Sequence, residues 1–397
     1  MLFELGELMK VALISGEGGG ISSVSIGLGM SLAKRKIDTT IFTGVPTFAT
    51  AGLRTDKLCD CLEVVRFPIP DMPPRNLWFQ ILNFSKLSRL LSQFTVIHGV
   101  NPSSSFGFTF SKHRLRRPFV STLHASHRTV QKVFLSQPIS SWTLRDIGLN
   151  ILELPLYDFS EKRALLHSDH AVVCSYTLLG QIAAYRKMSL ERVSVIQNGV
   201  NFDEIERAES LPTDKQDVFS IVYAGRLFPT KGVMYLLEAF KLLRRDFKNV
   251  HLSIFGKGPL QNRIRRFIAD SNFGDCVSSL GYVPHERLLA EIKKSDIVVF
   301  PSLLESQSMF MLEAMACKKP LLAFDLPFAR EIITNMDNGV LAAARDIEDL
   351  YRKIKLLISD EKLRRRLGQA AYHYVRRNHN WDIQVEKYLK VYESVMH

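Results

Sequence analysis

Twelve short runs of Val, Ile, Leu and Phe recur along this chain, nearly all followed by a stretch with helical spacing. That alternation limits the fold more than any other feature. In the first half the runs are Lys10–Ser15, Thr39–Thr43, Leu62–Phe67, Thr95–His98, Phe119–Leu123, Ala171–Cys174 and Val193–Ile196. In the second half they are Ser220–Ala224, His251–Phe255, Val277–Leu280, Ile297–Phe300 and Leu321–Phe324. Most lack the strict polar alternation of a sheet with one wet face, so each strand is expected to be covered on both sides. Strands that alternate with helices imply parallel pairing, because a parallel neighbour can be reached only by a crossover. The pattern is therefore α/β. It predicts two doubly wound, Rossmann-like parallel-sheet domains, which suits a chain of 397 residues, too long for one core.

The join is expected where Asn198-Gly-Val-Asn201 follows the last run of the first half. This gives domains at 1–197 and 198–375, with 376–397 as a C-terminal helical segment. Trp381–Val395 has an apolar stripe that arrives after the second sheet is complete, and is expected to return to the first domain. No apolar stretch approaches the ~18 residues of a membrane span. Met1–Lys10 lacks the basic start and small-residue site of a secretory signal, so a cytoplasmic location is expected. The five cysteines are scattered, and Cys59 and Cys61 stand too close for a zinc pair, which reads as reduced, structural thiols. The net charge of +12 asks for an anionic partner. The excess lies in residues 1–200, with 22 Lys and Arg against 14 Asp and Glu.

Three segments carry candidate chemistry. After the first strand comes Ser15-Gly16-Glu17-Gly18-Gly19-Gly20, opening a helix whose amides and dipole suit an anion; a simple tight turn is the competing reading. The spacing is neither that of a dinucleotide fingerprint nor that of a P-loop. In the second half, Gly225 ends a strand and is followed by Arg226 and, before the next helix, Lys231-Gly232. Both cations stand at the sheet edge where doubly wound folds bind ligands, and could neutralise a diphosphate or simply be solvated. The third segment is Pro301-Ser-Leu-Leu-Glu305-Ser-Gln-Ser-Met-Phe-Met-Leu-Glu313. Glu313 sits in an apolar helix, where a carboxylate needs a sugar diol or an internal cation to offset its desolvation.

Together, Gly225-Arg-Leu-x-x-x-Lys231-Gly232, the glutamates at 305 and 313, Ile196-Gln-Asn-Gly-Val200 and Gly281-Tyr-Val-Pro284 resemble the donor site of family-4 retaining glycosyltransferases with the GT-B fold. The resemblance is strong from residue 195 to about 345 and looser before it. It implies two domains facing across a cleft, and a nucleotide-diphosphate sugar (UDP- or GDP-linked) as donor, with no further cofactor and no metal. By this resemblance Arg226 and Lys231 hold the diphosphate, Glu305 approaches the transferred sugar and Glu313 takes the ribose. Ser308, Met309 and Phe310 lie near the sugar and phosphate, and Tyr282 and Val283 near the base. Gly18, Gly19, Gly20 and His124 line the catalytic side of the first domain. A lone His at a strand end is also a common structural residue. Ser306 and Ser308 replace the family's usual glycines and Gln307 an aromatic, which bears on the sugar pocket.

By the same resemblance the acceptor is expected to be a hydroxyl compound (a glycolipid, a lipid-linked molecule or a polysaccharide), and the basic first half points to a lipid-linked or anionic one. Arg75–Arg89, with Trp78 and Phe79, mixes apolar and basic residues at helical spacing, and Arg114, Arg116 and Arg117 add a basic loop. Such a helix can lie on an anionic membrane surface, or face the core with a basic rim. A nucleotide-sugar epimerase and a non-catalytic nucleotide-sugar-binding protein share the architecture. A nucleic-acid partner is not expected, because no helix-turn-helix, aromatic RNA motif or zinc pattern occurs.

Overall fold

The computed structural model describes residues 9–16, 19–46, 53–71, 75–110, 116–135, 154–185, 191–208 and 218–396. They form two compact units, one holding the first sheet together with Trp381–His397, the other running from Val200 to Asn380.

The first sheet has eight strands in the order β3-β4-β2-β1-β5-β6-β7-β8. Its central strands are β1 (Lys10–Ile14), β2 (Asp38–Pro46), β4 (Leu62–Ile69), β5 (Val96–Gly99) and β6 (Phe119–Leu123). They are parallel, as are β7 (His170–Val173) and β8 (Val193–Val195). The exception is β3 (Arg54–Cys59), which pairs antiparallel with β4 at the sheet edge. The sheet is therefore not wholly parallel: a short connection of Asp60 and Cys61 is enough for a hairpin but not for a crossover. Phe42, Phe67, Phe79 and Phe94 pack edge-on or tilted at 5.7–6.4 Å on one side of it.

The C-terminal helix Trp381–Met396 belongs to this first unit through its side chains, although in sequence it follows directly on Asn380. Trp381 seats against Gly27 so closely that a Cβ there would stand 2.1 Å from the indole nitrogen. Arg35 donates to the Glu386 carboxylate at 2.6 Å and to the Asp382 carbonyl at 2.9 Å. Deeper in, the His98 ring on β5 lies 2.7 Å from Tyr392 Oη and 2.7 Å from Thr122 Oγ1 on β6. Every polar atom of that ring is satisfied, so the helix can bury three polar side chains at little net cost.

The second sheet is wholly parallel, in the order β11-β10-β9-β12-β13-β14. Its strands are β9 (Phe219–Ala224), β10 (Val250–Phe255), β11 (Val277–Gly281), β12 (Ile297–Phe300), β13 (Leu321–Phe324) and β14 (Val340–Ala342). Two apolar clusters cover its faces, one including Leu236, Phe240, Ile254 and Ile354, the other Val222, Phe300, Met311 and Val375. The helix Glu361–Asn378 closes the second of these through Ala371 and Val375, which carries this unit to Asn380. The chain enters and leaves the unit side by side, with the Val200 amide donating to the His379 carbonyl at 2.7 Å.

In each sheet the strand order reverses once, between β1 and β5 in the first and between β9 and β12 in the second. Crossovers leave these points in opposite directions, opening a crevice at the carboxyl ends of the two strands. Gly19 and Gly20 follow β1, Arg226 and Lys231 follow β9, and Glu305 and Ser308 follow β12.

Candidate active site

At the β9/β12 switch point the loop after β12 is tied to the turn after β9. Pro229–Lys231 forms one turn of 3₁₀ helix, and Gly232 follows at φ 72°. A Cβ on Gly232 would stand 1.7 Å from the Pro301 carbonyl oxygen, so only glycine lets the two loops close. The Leu303 amide then donates to Thr230 O at 2.8 Å. Ser302 Oγ reaches Thr230 O, Leu304 O and Glu305 Oε1 at 3.2–3.3 Å.

These ties bring Lys231 and Glu305 together: Lys231 Nζ is 2.5 Å from Glu305 Oε1. Arg226 is different. It is exposed, and its only partner among the described residues is the Phe228 ring, 5.5 Å from the guanidinium carbon. One cation is thus engaged by a carboxylate and the other is open to an anion, at the same edge of the sheet.

The loop ends at Ser308, whose Oγ accepts from the Met311 amide at 3.4 Å and caps the helix Met309–Ala316. The helix is buried from Phe310 to Ala316. Its first amides and dipole face the switch point, adding partial positive charge near Lys231. Glu313 lies within this helix, its side chain 8% exposed, and its partner is His285 Nε2 at 3.0 Å. The internal cation that its burial calls for is therefore a histidine, not Arg or Lys. His285 had no distinguishing mark in the sequence beyond its place directly after Gly281-Tyr-Val-Pro284.

Tyr282 is largely exposed, at 72%, while Val283 packs on the core. A segment the sequence reading passed over, Gly256-Lys257-Gly258 after β10, lines the same edge. A Cβ on Gly256 would meet Gly225 O at 1.9 Å, and the Gly256 amide donates to Gly281 O at 2.7 Å. The ends of β9, β10 and β11 are thus laced together, with exposed Lys257 between the glycines. A glycine pair at a strand end was the signal available.

In the first unit, Gly19 and Gly20 begin the helix Gly19–Ala33 directly beyond β1, whereas Gly18 lies outside the described residues. Ser25 Oγ donates to Ser15 Oγ at 2.7 Å and so pins the start of that helix to the strand end. His124 follows β6. Its ring is hydrogen-bonded to the Val100 backbone, and burial holds its pKa down at about 4. Nε2 is buried without a partner, so a neutral imidazole presents an unfilled acceptor.

The Arg75–Arg89 segment lies in the helix Arg75–Leu91, but Trp78 and Phe79 do not face outward. Phe79 is 1% exposed, T-shaped against Phe67 at 5.7 Å, and Trp78 packs on the same core. The side of the helix that meets β2 and β4 takes the aromatics. Ile81 and Leu82, with Lys86 and Arg89, are exposed instead. Arg75 pairs with Asp71, Arg116 is exposed, and exposed Arg117 donates to Ser92 O at 2.9 Å. Arg114 lies outside the described residues.

Comparison with known proteins covers both halves of the chain. The model for glycosyl transferases group 1 matches residues 202–374, and that for glycosyltransferase family 4 matches residues 18–204. The chain belongs to glycosyltransferase family 4. An uncharacterized glycosyltransferase of Methanocaldococcus jannaschii is 30% identical over 234 residues, 59% of this chain and 62% of that one. The glycogen synthase of Mycobacterium tuberculosis is 25% identical over 288 residues, 69% of this chain and 63% of that one. The chain thus spans less than two thirds of the length of these relatives. Among solved structures, sucrose-phosphate synthase from Thermosynechococcus elongatus superposes with a TM-score of 0.80 at 19% identity, covering 98% and 99% of the two chains. Anabaena HepE, solved with UDP and glucose, gives 0.72 at 16% identity over 97% and 100%. The fold is GT-B.

Proposed function

We propose that this chain transfers a sugar from a nucleotide-diphosphate sugar to a hydroxyl acceptor, with retention of configuration and without a metal. The observation that carries the reading is the gathering of Arg226, Lys231, Glu305 and Glu313 at one topological switch point. Sugar transfer builds negative charge on the departing diphosphate, and preorganised positive charge is the catalyst's largest lever on that charge. Arg226, Lys231 and the N-terminus of the helix Met309–Ala316 supply it here. In front-face transfer the bond from the anomeric carbon to the phosphate oxygen breaks as a bond to the acceptor oxygen forms on the same face. The acceptor proton passes to the leaving phosphate.

A UDP-sugar is the first donor to try, since HepE was solved with UDP-glucose and a Staphylococcus aureus relative of the fold, TarM, with UDP. The acceptor is amphiphilic or lipid-linked and is met at the inner face of the cell membrane. Exposed Ile81 and Leu82 beside Lys86 and Arg89 support this, as does the basic excess of residues 1–200. No helix among the described residues is long and apolar enough to cross a bilayer.

The test is a thermal-shift panel of UDP-, GDP- and ADP-sugars, followed by an assay of nucleotide release with lipid-linked acceptors in EDTA. A ligand at 100 Kd adds ~2.7 kcal/mol of stability, a readable shift. Stabilisation by one donor and acceptor-dependent release are expected. No stabilisation by any donor would remove the donor site; release that does not depend on acceptor would favour the epimerase reading, and stabilisation with no release at all would leave a binding protein.

A further inference from the structure

Glu313 owes its setting to one neighbour, and that neighbour is itself held. His285 opens the helix His285–Lys294, immediately after the loop that leaves β11. Its Nε2 lies 3.0 Å from Glu313 Oε1, and its Nδ1 lies 2.8 Å from Glu204 Oε1. Glu204 stands in the helix Phe202–Arg207, where its amide donates to the capping Asn201 Oδ1 at 3.3 Å. Three helices therefore meet on one imidazole.

The electrostatics fix its state. A cation at a helix N-terminus opposes the dipole, and burial also works against charge. Two carboxylates outweigh both: hydrogen bonds to Glu204 and then Glu313 push the His285 pKa up to about 10. In return, the His285 hydrogen bond draws the Glu204 carboxyl below its usual range. An imidazolium has two N–H donors and no acceptor, so each nitrogen must serve one carboxylate. The ring cannot turn without losing both. Glu313 Oε1 is consequently fixed, and Oε2 has no protein partner among the described residues.

A carboxylate with one oxygen pinned and one free has a set direction in which to accept hydrogen bonds. On an otherwise apolar helix, an unpinned one would be free to change rotamer. Vicinal hydroxyls need a fixed acceptor if they are to be told from their absence, because discrimination comes from leaving a built polar site unfilled.

We propose that His285 is a positioning residue for the donor nucleotide, locking the Glu313 carboxylate so that it selects the ribose diol, with Glu204 holding His285 in place. This rests on the donor-site reading above and adds to it the group that makes the ribose contact selective.

Titration calorimetry of the full chain with UDP, GDP and ADP identifies the tightest nucleotide, which is then compared with its 2′,3′-dideoxy counterpart. Wild type should prefer the ribonucleotide by tenfold or more, about the worth of one charge-assisted hydrogen bond. Two variants separate the contacts: His285→Gln can place its amide nitrogen near Glu313, and His285→Asn near Glu204. H285N should lose the preference, with a ratio near one and unchanged affinity for the dideoxynucleotide. H285Q should retain part of it. If His285 merely tied helices together, both variants would melt earlier and keep the wild-type ratio. An unchanged ratio in folded H285N and H285Q overturns the proposal. Wild type that binds a nucleotide without preferring ribose overturns it too, while leaving the donor site standing. Wild type that binds none of the three nucleotides removes the donor site itself.

Discussion

Lys231 Nζ stands 2.5 Å from Glu305 Oε1, with the two side chains only 14% and 16% exposed. Under the proposed roles, the cation that would serve the diphosphate is thus already paired with the carboxylate that would serve the sugar. An incoming diphosphate must share Lys231 with Glu305. Replacing Glu305 with Gln removes the competing charge. We expect E305Q to bind free nucleoside diphosphate roughly tenfold more tightly, one charge-assisted contact's worth. Turnover should fall, because the residue beside the reacting sugar has lost its charge. Calorimetry with UDP and a release assay measure the two effects; equal or weaker UDP binding would show that Glu305 does not restrain Lys231.

The two cations should differ when each is removed. Arg226 has no carboxylate partner among the described residues, so Arg226→Ala should leave the melting temperature nearly unchanged, as surface substitutions do. Lys231→Ala strands Glu305 in a mostly buried site and should lower stability by ~1–3 kcal/mol. Both should cut kcat/KM at least tenfold if, as proposed, each meets the charge that grows on the leaving diphosphate. Thermal melts and steady-state kinetics on the two purified variants decide the matter. Equal melting temperatures would contradict the pairing seen at Lys231, and normal kcat/KM in either would take that residue off the diphosphate.

Much of this was legible in the sequence, for physical reasons that also explain the gaps. Strands covered on both faces must be apolar throughout, so β1, β9 and β12 could be placed to within a residue or two. Strand β3, Arg-Thr-Asp-Lys-Leu-Cys, is a largely exposed edge with no such constraint, and β14 has only three residues. The donor residues were marked by charge at strand ends, which burial makes unusual. His285 was not, because a His near a helix start is ordinary until its partners converge from helices 81 and 28 residues away in sequence. For the helix Arg75–Leu91, spacing gave an apolar stripe but not which part of it β2 and β4 would cover. Phe79 went inward and Ile81 and Leu82 did not.

Acid should weaken the first unit well before most carboxylates titrate. Burial, aided by the neighbouring His124, holds His98 at about 3, and burial holds His124 at about 4. In the unfolded chain both take protons near pH 6.5. Below that pH the unfolded state binds more protons than the folded one, so stability falls as pH drops from ~6.5 toward ~4. Melting of the full chain between pH 5 and 6.5, below the range in which His285 with its raised pKa contributes an opposite slope, should show this one. His98→Gln removes one of the two sites and should flatten it. Tyr392→Phe leaves His98 without its 2.7 Å partner and should lower the melting temperature at pH 7. A slope unaltered in H98Q would mean that other groups govern the acid response.

The last prediction concerns the acceptor. The side of the helix Arg75–Leu91 turned away from the core carries Ile81 and Leu82, each 57% exposed, together with exposed Lys86 and Arg89. Elsewhere in the first unit, Arg163 lies over the ring of Phe110, itself 59% exposed. Apolar side chains flanked by cations fit the interface of an anionic bilayer, where each basic residue contributes ~1 kcal/mol. A soluble anionic acceptor would use the cations but gain nothing from Ile81 and Leu82. Sedimentation with vesicles separates the two. Binding to phosphatidylglycerol vesicles but not to phosphatidylcholine is expected, weakened at 1 M salt, where screening shortens to ~3 Å. Ile81→Ser with Leu82→Ser should reduce it at least tenfold while the melting temperature holds, because both side chains are already in water. Phe79→Ser, by contrast, should destabilise the first unit, since that ring lies in the core. Absence of binding at low salt would assign the basic surface to a soluble acceptor instead, and binding that survives the double substitution would take Ile81 and Leu82 out of the membrane contact.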